Sequence, residues 1–117
     1  MPSLIFRVIS GEDWEQAKSR DVVPRCGADE RDGFVHLSTH ESVLETANLY
    51  FEPAEEPVVI EVEVGLLGDA LKWEAVESRG GQPFPHLYAP GIPMVAIRAV
   101  VVLEHGTHGF SFVHCRS

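Results

Sequence analysis

Asp32-Gly33-Phe34-Val35-His36-Leu37-Ser38-Thr39 sets one imidazole inside a short apolar run and follows it at once with helix-start chemistry. Ser38, with Glu41 three residues on, has the form of a capping box, in which a hydroxyl and a carboxylate satisfy free backbone N–H groups at a helix start. The stretch therefore predicts a strand ending near His36 and a helix from about Thr39 to Phe51. Period-two alternation puts His36 on a face with Phe34 and Ser38, and Val35 with Leu37 on the other. A histidine at a strand's carboxyl end, beside a helix N-terminus, stands where α/β proteins often bind ligands, because the first turn's unpaired N–H groups favour an anion. The same residue also reads as a core histidine satisfied by a backbone carbonyl, and this stretch leaves both readings open.

Upstream, Leu4-Ile5-Phe6-Arg7-Val8-Ile9 reads as a strand buried on both faces or nearly so, ended by Ser10-Gly11. Glu12–Arg20 reads as a helix with acidic residues in its first turn and Lys18 and Arg20 in its last, as the helix dipole favours. Trp14 and Ala17 share its core face. Val22 to Arg31 carries Pro24, Gly27 and a run of charges, and reads as a loop, either a lid or a solvated connection.

Downstream, Val43, Leu44, Ala47, Tyr50 and Phe51 form one apolar stripe at helical spacing. Val58–Val64 alternates, with Val58, Ile60, Val62 and Val64 on one face and Val59, Glu61 and Glu63 on the other, which predicts a half-exposed strand. Leu71–Glu74 reads as a short extended piece, and Ser78–Gln82 as a flexible loop around Gly80-Gly81. Pro83-Phe84-Pro85-His86-Leu87-Tyr88-Ala89-Pro90-Gly91 reads as rigid irregular backbone, unsuited to a central strand and fit to present His86 and Tyr88 to a ligand, or else merely to close the core. Met94–Leu103, apolar but for Arg98, predicts a central or well-covered strand, in which a charge at Val100 would unfold the domain. Phe110–Val113 reads as a last edge strand.

These segments predict one α+β domain spanning 1–117: a mixed, mostly antiparallel sheet of about five strands with a pair of helices packed on it. Leu4–Ile9, Phe34–Leu37, Val58–Val64 and Ala96–Leu103 are expected in that sheet. At 117 residues the chain can bury a real core. Its apolar runs are too short to span a bilayer and Met1–Ser10 lacks signal-peptide form, so no membrane partner and a cytoplasmic location are expected. A net charge of −9 argues against general nucleic-acid binding, which needs a basic face, yet allows a small anion held by local cations. Cys26 and Cys115 form no CxxC or zinc pattern and read as unpaired thiols. The sequence sets no oligomeric state.

Phosphate loops, nucleophile elbows and zincin motifs are absent. His36 and His40 are not an i, i+4 helical metal pair, since the helix has not begun at His36; no metal is expected. What remains is a cleft where His36, Ser38, His86 and Tyr88 converge, with Arg7 and Glu74 as candidates to join it. His and Tyr suit hydroxyl and amide recognition, Arg a phosphate, and Glu a proton or a cationic transition state.

Asp32-Gly33-Phe34-Val35-His36-Leu37-Ser38, Trp73-Glu74 and Phe84-Pro85-His86-Leu87-Tyr88, in this order and spacing, resemble the bacterial domain-of-unknown-function family 952. The resemblance covers nearly the whole chain, including the Trp14…Ala17 helix and the late hydrophobic strand. It implies a fold related to ADP-ribosyltransferases, including the RNA 2′-phosphotransferase branch, in which a similar His-Leu-Ser segment contributes to NAD binding. On that resemblance His36 would contact a ribose hydroxyl or the nicotinamide amide, Ser38 and Arg7 would join the cofactor site, and His86 and Tyr88 would form the opposing wall. Glu74 would position the nucleophile beside an oxocarbenium-like ribose, with His36 as its catalytic companion. Arg7 departs from the pattern, standing where the family often has His or Lys, and the acidity of the chain disfavours a large RNA substrate. The functional expectation is thus a domain binding a small molecule or nucleotide, either an NAD-using transferase or a non-enzymatic binding domain, with a metal-dependent hydrolase ranked last.

Overall fold

The structure is a computed structural model that describes residues 3–113. Strand β1 (Leu4–Ile9) is buried along almost its whole length. Helix α1 (Gly11–Ala17) follows, its start fixed by the Ser10 hydroxyl, which accepts the Asp13 N–H at 3.1 Å. It stops earlier than expected, so Lys18 and Arg20 lie beyond its last turn. The segment read as a loop is built into the fold. It holds strand β2 (Val22–Pro24), with Val23 buried, and helix α2 (Ala28–Asp32), with Asp29 buried. Gly33 ends α2 at φ +82°, a left-handed conformation that suits glycine, and turns the chain into β3 (Val35–His36).

The expected capping box at Ser38 does not form. Ser38 and Phe6 exchange backbone hydrogen bonds of 2.7 and 2.8 Å, so Ser38 pairs with β1 instead of starting a helix. Its hydroxyl meets that of Thr46 at 3.0 Å. Helix α3 (Val43–Tyr50) begins only after a turn in which the Ser42 hydroxyl accepts the Thr39 N–H at 3.1 Å. His36 therefore does not abut a helix N-terminus, and the anion argument from that terminus falls away.

The remaining elements are strands: β4 (Val58–Glu63), β5 (Leu71–Val76), β6 (Gln82–Leu87), β7 (Gly91–Pro93), β8 (Ile97–Gly106) and β9 (Gly109–Phe112). The fold is α+β with antiparallel pairing throughout its registers, but it divides into three sheets among the described residues. One has the order β1-β4-β8-β9, one pairs β2 with β7, and one has the order β3-β6-β5. The segment around His36 thus leaves the large sheet in which it was expected and joins it only through the Phe6–Ser38 bridge.

Two cores explain the division. Val58, Ile60 and Val62 of β4 pack with Ile5, Ile9, Val35, Leu87 and Ile92 on one face. Val59 packs on the other with Phe6, Val8, Val43, Ala47 and Phe110, beneath α3. The face of β4 expected to be exposed is therefore covered at Val59 and part-open only at Glu61 and Glu63. The late apolar segment is a strand, as expected, but its first residues, Met94–Ala96, form a 3-10 turn, and its alternate side chains are open. Val100 is 37 % exposed and Val102 58 %.

The proline-bearing stretch is the central strand of its sheet, against expectation. The Pro85 carbonyl accepts the Leu37 N–H at 3.1 Å, so residue 85 faces β3. Residue 83, two positions away, faces the same side. The two-residue β3 pairs only with His86 and Leu87, so the missing N–H groups of both prolines fall along an edge that β3 barely uses. Among the described residues no helix is long and apolar enough to cross a membrane. Cys115 lies outside the described residues.

Candidate functional site

The β3–β6 pairing aligns His36 with His86, and their ring centroids stand 5.8 Å apart, edge to face. Phe34 stacks on the His86 ring at 4.1 Å and contacts the His36 and Tyr88 rings at 4.6 and 5.2 Å. One aromatic cluster therefore gathers both histidine motifs.

Carboxylates orient each imidazole. His36 Nδ1 lies 2.7 Å from Asp29 Oδ1, and Nε2 lies 2.8 Å from Asp32 Oδ2. A ring can donate to both only as the imidazolium. His86 Nδ1 lies 2.8 Å from Glu74 Oε1, which also accepts the Tyr88 hydroxyl at 2.6 Å. The Tyr88 bond, with His86 second, holds the Glu74 carboxyl below the usual carboxylate range, and Glu74 in turn pushes the Tyr88 phenol up. An ionised Glu74 accepts a hydrogen bond from His86 Nδ1–H, so in the neutral ring Nε2 is the acceptor. That nitrogen has no hydrogen-bond partner among the described residues.

Behind His36 sits a buried ion pair. Arg7 faces the same core as Ile5 and Ile9, and donates to both Asp29 oxygens at 3.0 and 2.6 Å. It also donates to the His36 carbonyl at 2.8 Å and to Cys26 Sγ at 2.9 Å. Asp29 further accepts the backbone N–H groups of Cys26 and His36. Burial by itself raises the Asp29 carboxyl, but the His36 ring, the Arg7 charge and those N–H groups outweigh it and hold the carboxyl below the ordinary range. Burial likewise pushes the Cys26 thiol up, with Arg7 opposing.

A cleft of about 530 Å³ opens beside these groups. Arg7, His36, Ser38 and His86 line it, whereas Glu74 and Tyr88 stand behind His86 and do not. Arg7, expected to meet a phosphate, is instead engaged by Asp29. Ser38 is buried and bonded to Thr46. Asp29, Asp32, Tyr50, Arg79 and Phe84, none of them a site candidate from the sequence, also line the cleft. No group of three or more His, Cys, Asp or Glu among the described residues is arranged to hold a metal ion.

Fold and site together define a small α+β protein with paired, carboxylate-backed histidines beside a cleft. The chain belongs to the family described as "Protein of unknown function (DUF952)", whose pattern it matches over residues 8–101. It is similar to protein CC0527 from Caulobacter crescentus. The crystal structure of that protein is 37 % identical over 91 % of this chain and 90 % of the other, with a TM-score of 0.81. Its solution NMR structure is 36 % identical over 93 % and 91 %, with a TM-score of 0.77. No curated protein matches the chain.

Proposed function

We propose that the cleft binds a nucleotide of the NAD or ADP-ribose type, with His86 contacting a ribose hydroxyl through its unpartnered Nε2 and His36 doing so when the ligand displaces the part-exposed Asp32 carboxylate from its own Nε2. One observation carries this reading: two imidazoles lie side by side at a cleft wall, each held by carboxylates in a fixed orientation. Carboxylate-backed imidazoles are strong, directional partners for hydroxyl groups. In the transferase form of the proposal, Glu74 acts through His86, whose Nε2 accepts a proton from an attacking hydroxyl. The relation to ADP-ribosyltransferases that the resemblance to family 952 implies would give the same substrate class. A second reading, a binding domain without turnover, draws support from Glu74, which is spent on Tyr88 and His86 and is not on the cleft wall.

Calorimetry with NAD, ADP-ribose and AMP tests the proposal. His36→Ala and His86→Ala should keep a cooperative melt and lose about 1–3 kcal/mol of binding each, the usual cost of an unpaired polar partner. NAD bound with release of nicotinamide favours the transferase; NAD bound unchanged favours the binding domain. If the parent protein binds none of the three nucleotides, the reading is overturned.

A further inference from the structure

The carboxylates Asp13, Asp29, Asp32 and Glu55 line the cleft with His36. Thr46, Tyr50, Ser78, Arg79 and Phe84, from α3 and the β5–β6 hairpin, line it too. Arg79 is the cation of this second group. Its side chain is only 8 % exposed, and its guanidinium lies 4.4 Å from the Phe84 ring centroid and 5.9 Å from that of Tyr50. One nitrogen, Nη2, meets Glu45 at 2.5 Å and the Thr46 hydroxyl at 3.3 Å. Nε and Nη1 have no partner among the described residues. The only fully buried side-chain polar atom lacking a partner among those residues is Trp73 Nε1, so the two free nitrogens of Arg79, a residue of the cleft lining, keep access to solvent.

A guanidinium held against aromatic rings is pre-organised, and its unpartnered Nε–H and Nη1–H each offer a single donor to an oxyanion, the bidentate edges being taken up at Nη2 by Glu45 and Thr46. Its counter-ion is weak, since the Glu45 side chain is 61 % exposed. We propose that Arg79 is the centre of an oxyanion subsite that takes the phosphate of the ligand, with the Thr46 and Ser78 hydroxyls beside it. Glu45 is a built-in competitor that screens Arg79 until the anion arrives. This deepens the nucleotide reading and rests on it for the identity of the ligand, though not for the binding of an anion.

Thermal melts and calorimetry with inorganic pyrophosphate, AMP and adenosine separate the two. Pyrophosphate and AMP should raise the melting temperature of the parent protein. Arg79→Gln should abolish the pyrophosphate effect and weaken AMP about tenfold or more, while leaving adenosine unchanged. Glu45→Gln, a change at an exposed position that leaves the clamp intact, should tighten pyrophosphate severalfold. His36→Ala should keep pyrophosphate and lose adenosine. Pyrophosphate bound equally by Arg79→Gln, or unaffected by Glu45→Gln, overturns the subsite even if AMP still binds. Pyrophosphate bound through Arg79 with no affinity for adenosine or AMP keeps the subsite and removes the nucleotide reading.

Discussion

Asp29 holds Arg7 and His36 at once: its Oδ1 takes a guanidinium N–H of Arg7 at 3.0 Å and faces the His36 ring at 2.7 Å. A helix of five residues thereby links β1 to the histidine of the cleft; the Arg7–Asp29 half of the link is buried, and the His36 side chain is 36 % exposed. Removing one member of such a pair leaves an uncompensated charge in a dry place, whereas removing both members does not.

Asp29→Ala should therefore cost about 3–5 kcal/mol of unfolding free energy at pH 7. The double variant Asp29→Leu with Arg7→Met should cost less than Asp29→Ala alone, since no charge is stranded. Urea unfolding of the three proteins gives the comparison. A double variant less stable than the single one would show that the pair contributes net stability beyond mutual neutralisation.

The same carboxyl predicts acid sensitivity. Asp29 ionises below its ordinary range in the folded protein, so the unfolded chain binds its proton at higher pH than the folded one does. Its contribution is complete above the unfolded value of about 3.9 and is lost as pH falls through the folded value. Urea midpoints measured from pH 6 downward should fall below about pH 4, and Asp29→Asn should flatten that decline. Asp32 and Glu74 are also held low and will keep part of the slope in the variant.

Tyr88→Phe isolates the outer end of the site. The Tyr88 hydroxyl is the main cause of the low Glu74 carboxyl, ahead of His86. The variant should raise the titration midpoint of Glu74 toward the ordinary carboxylate value, read from its side-chain carboxyl resonance in a pH series. An unmoved midpoint would mean that His86 alone holds the charge.

The segments whose fold was legible are those whose local pattern is also their tertiary role. Leu4–Ile9 is apolar on both faces because both cores touch it, through Ile5 and Ile9 on one side and Phe6 and Val8 on the other. His36 and His86 stood out because imidazoles inside short apolar runs are conspicuous, and the β3–β6 register brings them together. What escaped the sequence depends on partners far along the chain. Five residues of α2 and two of β3 are too few for any period to show. Nothing local marks Asp29, in a run of charges, as buried; its partner Arg7 lies 22 positions away. Pro83 and Pro85 argue against a central strand until the shortness of β3 is known. Arg79 sat in a stretch that reads as flexible because of Gly80-Gly81, yet Phe84 and Tyr50 hold it in the cleft.

Strand β8 shows how backbone and side-chain burial part company. It pairs with β4 on one edge and β9 on the other, so an unbroken apolar run reads as an interior strand. Val100 sits opposite Ile60, but the first core does not extend over it, and a charge placed there keeps contact with water. Val100→Asp should thus keep a cooperative transition and lose about 1 kcal/mol or less, in place of the unfolding expected from the sequence. Val59, on β4 opposite Val101 and on the other face of the sheet, is fully buried beneath α3, and Val59→Asp should cost several kcal/mol and leave little folded protein. Urea denaturation of both variants at pH 7 decides the matter. Equal losses at the two positions would mean that the outer face of β8 is covered in solution, by a second copy of the chain or by a partner.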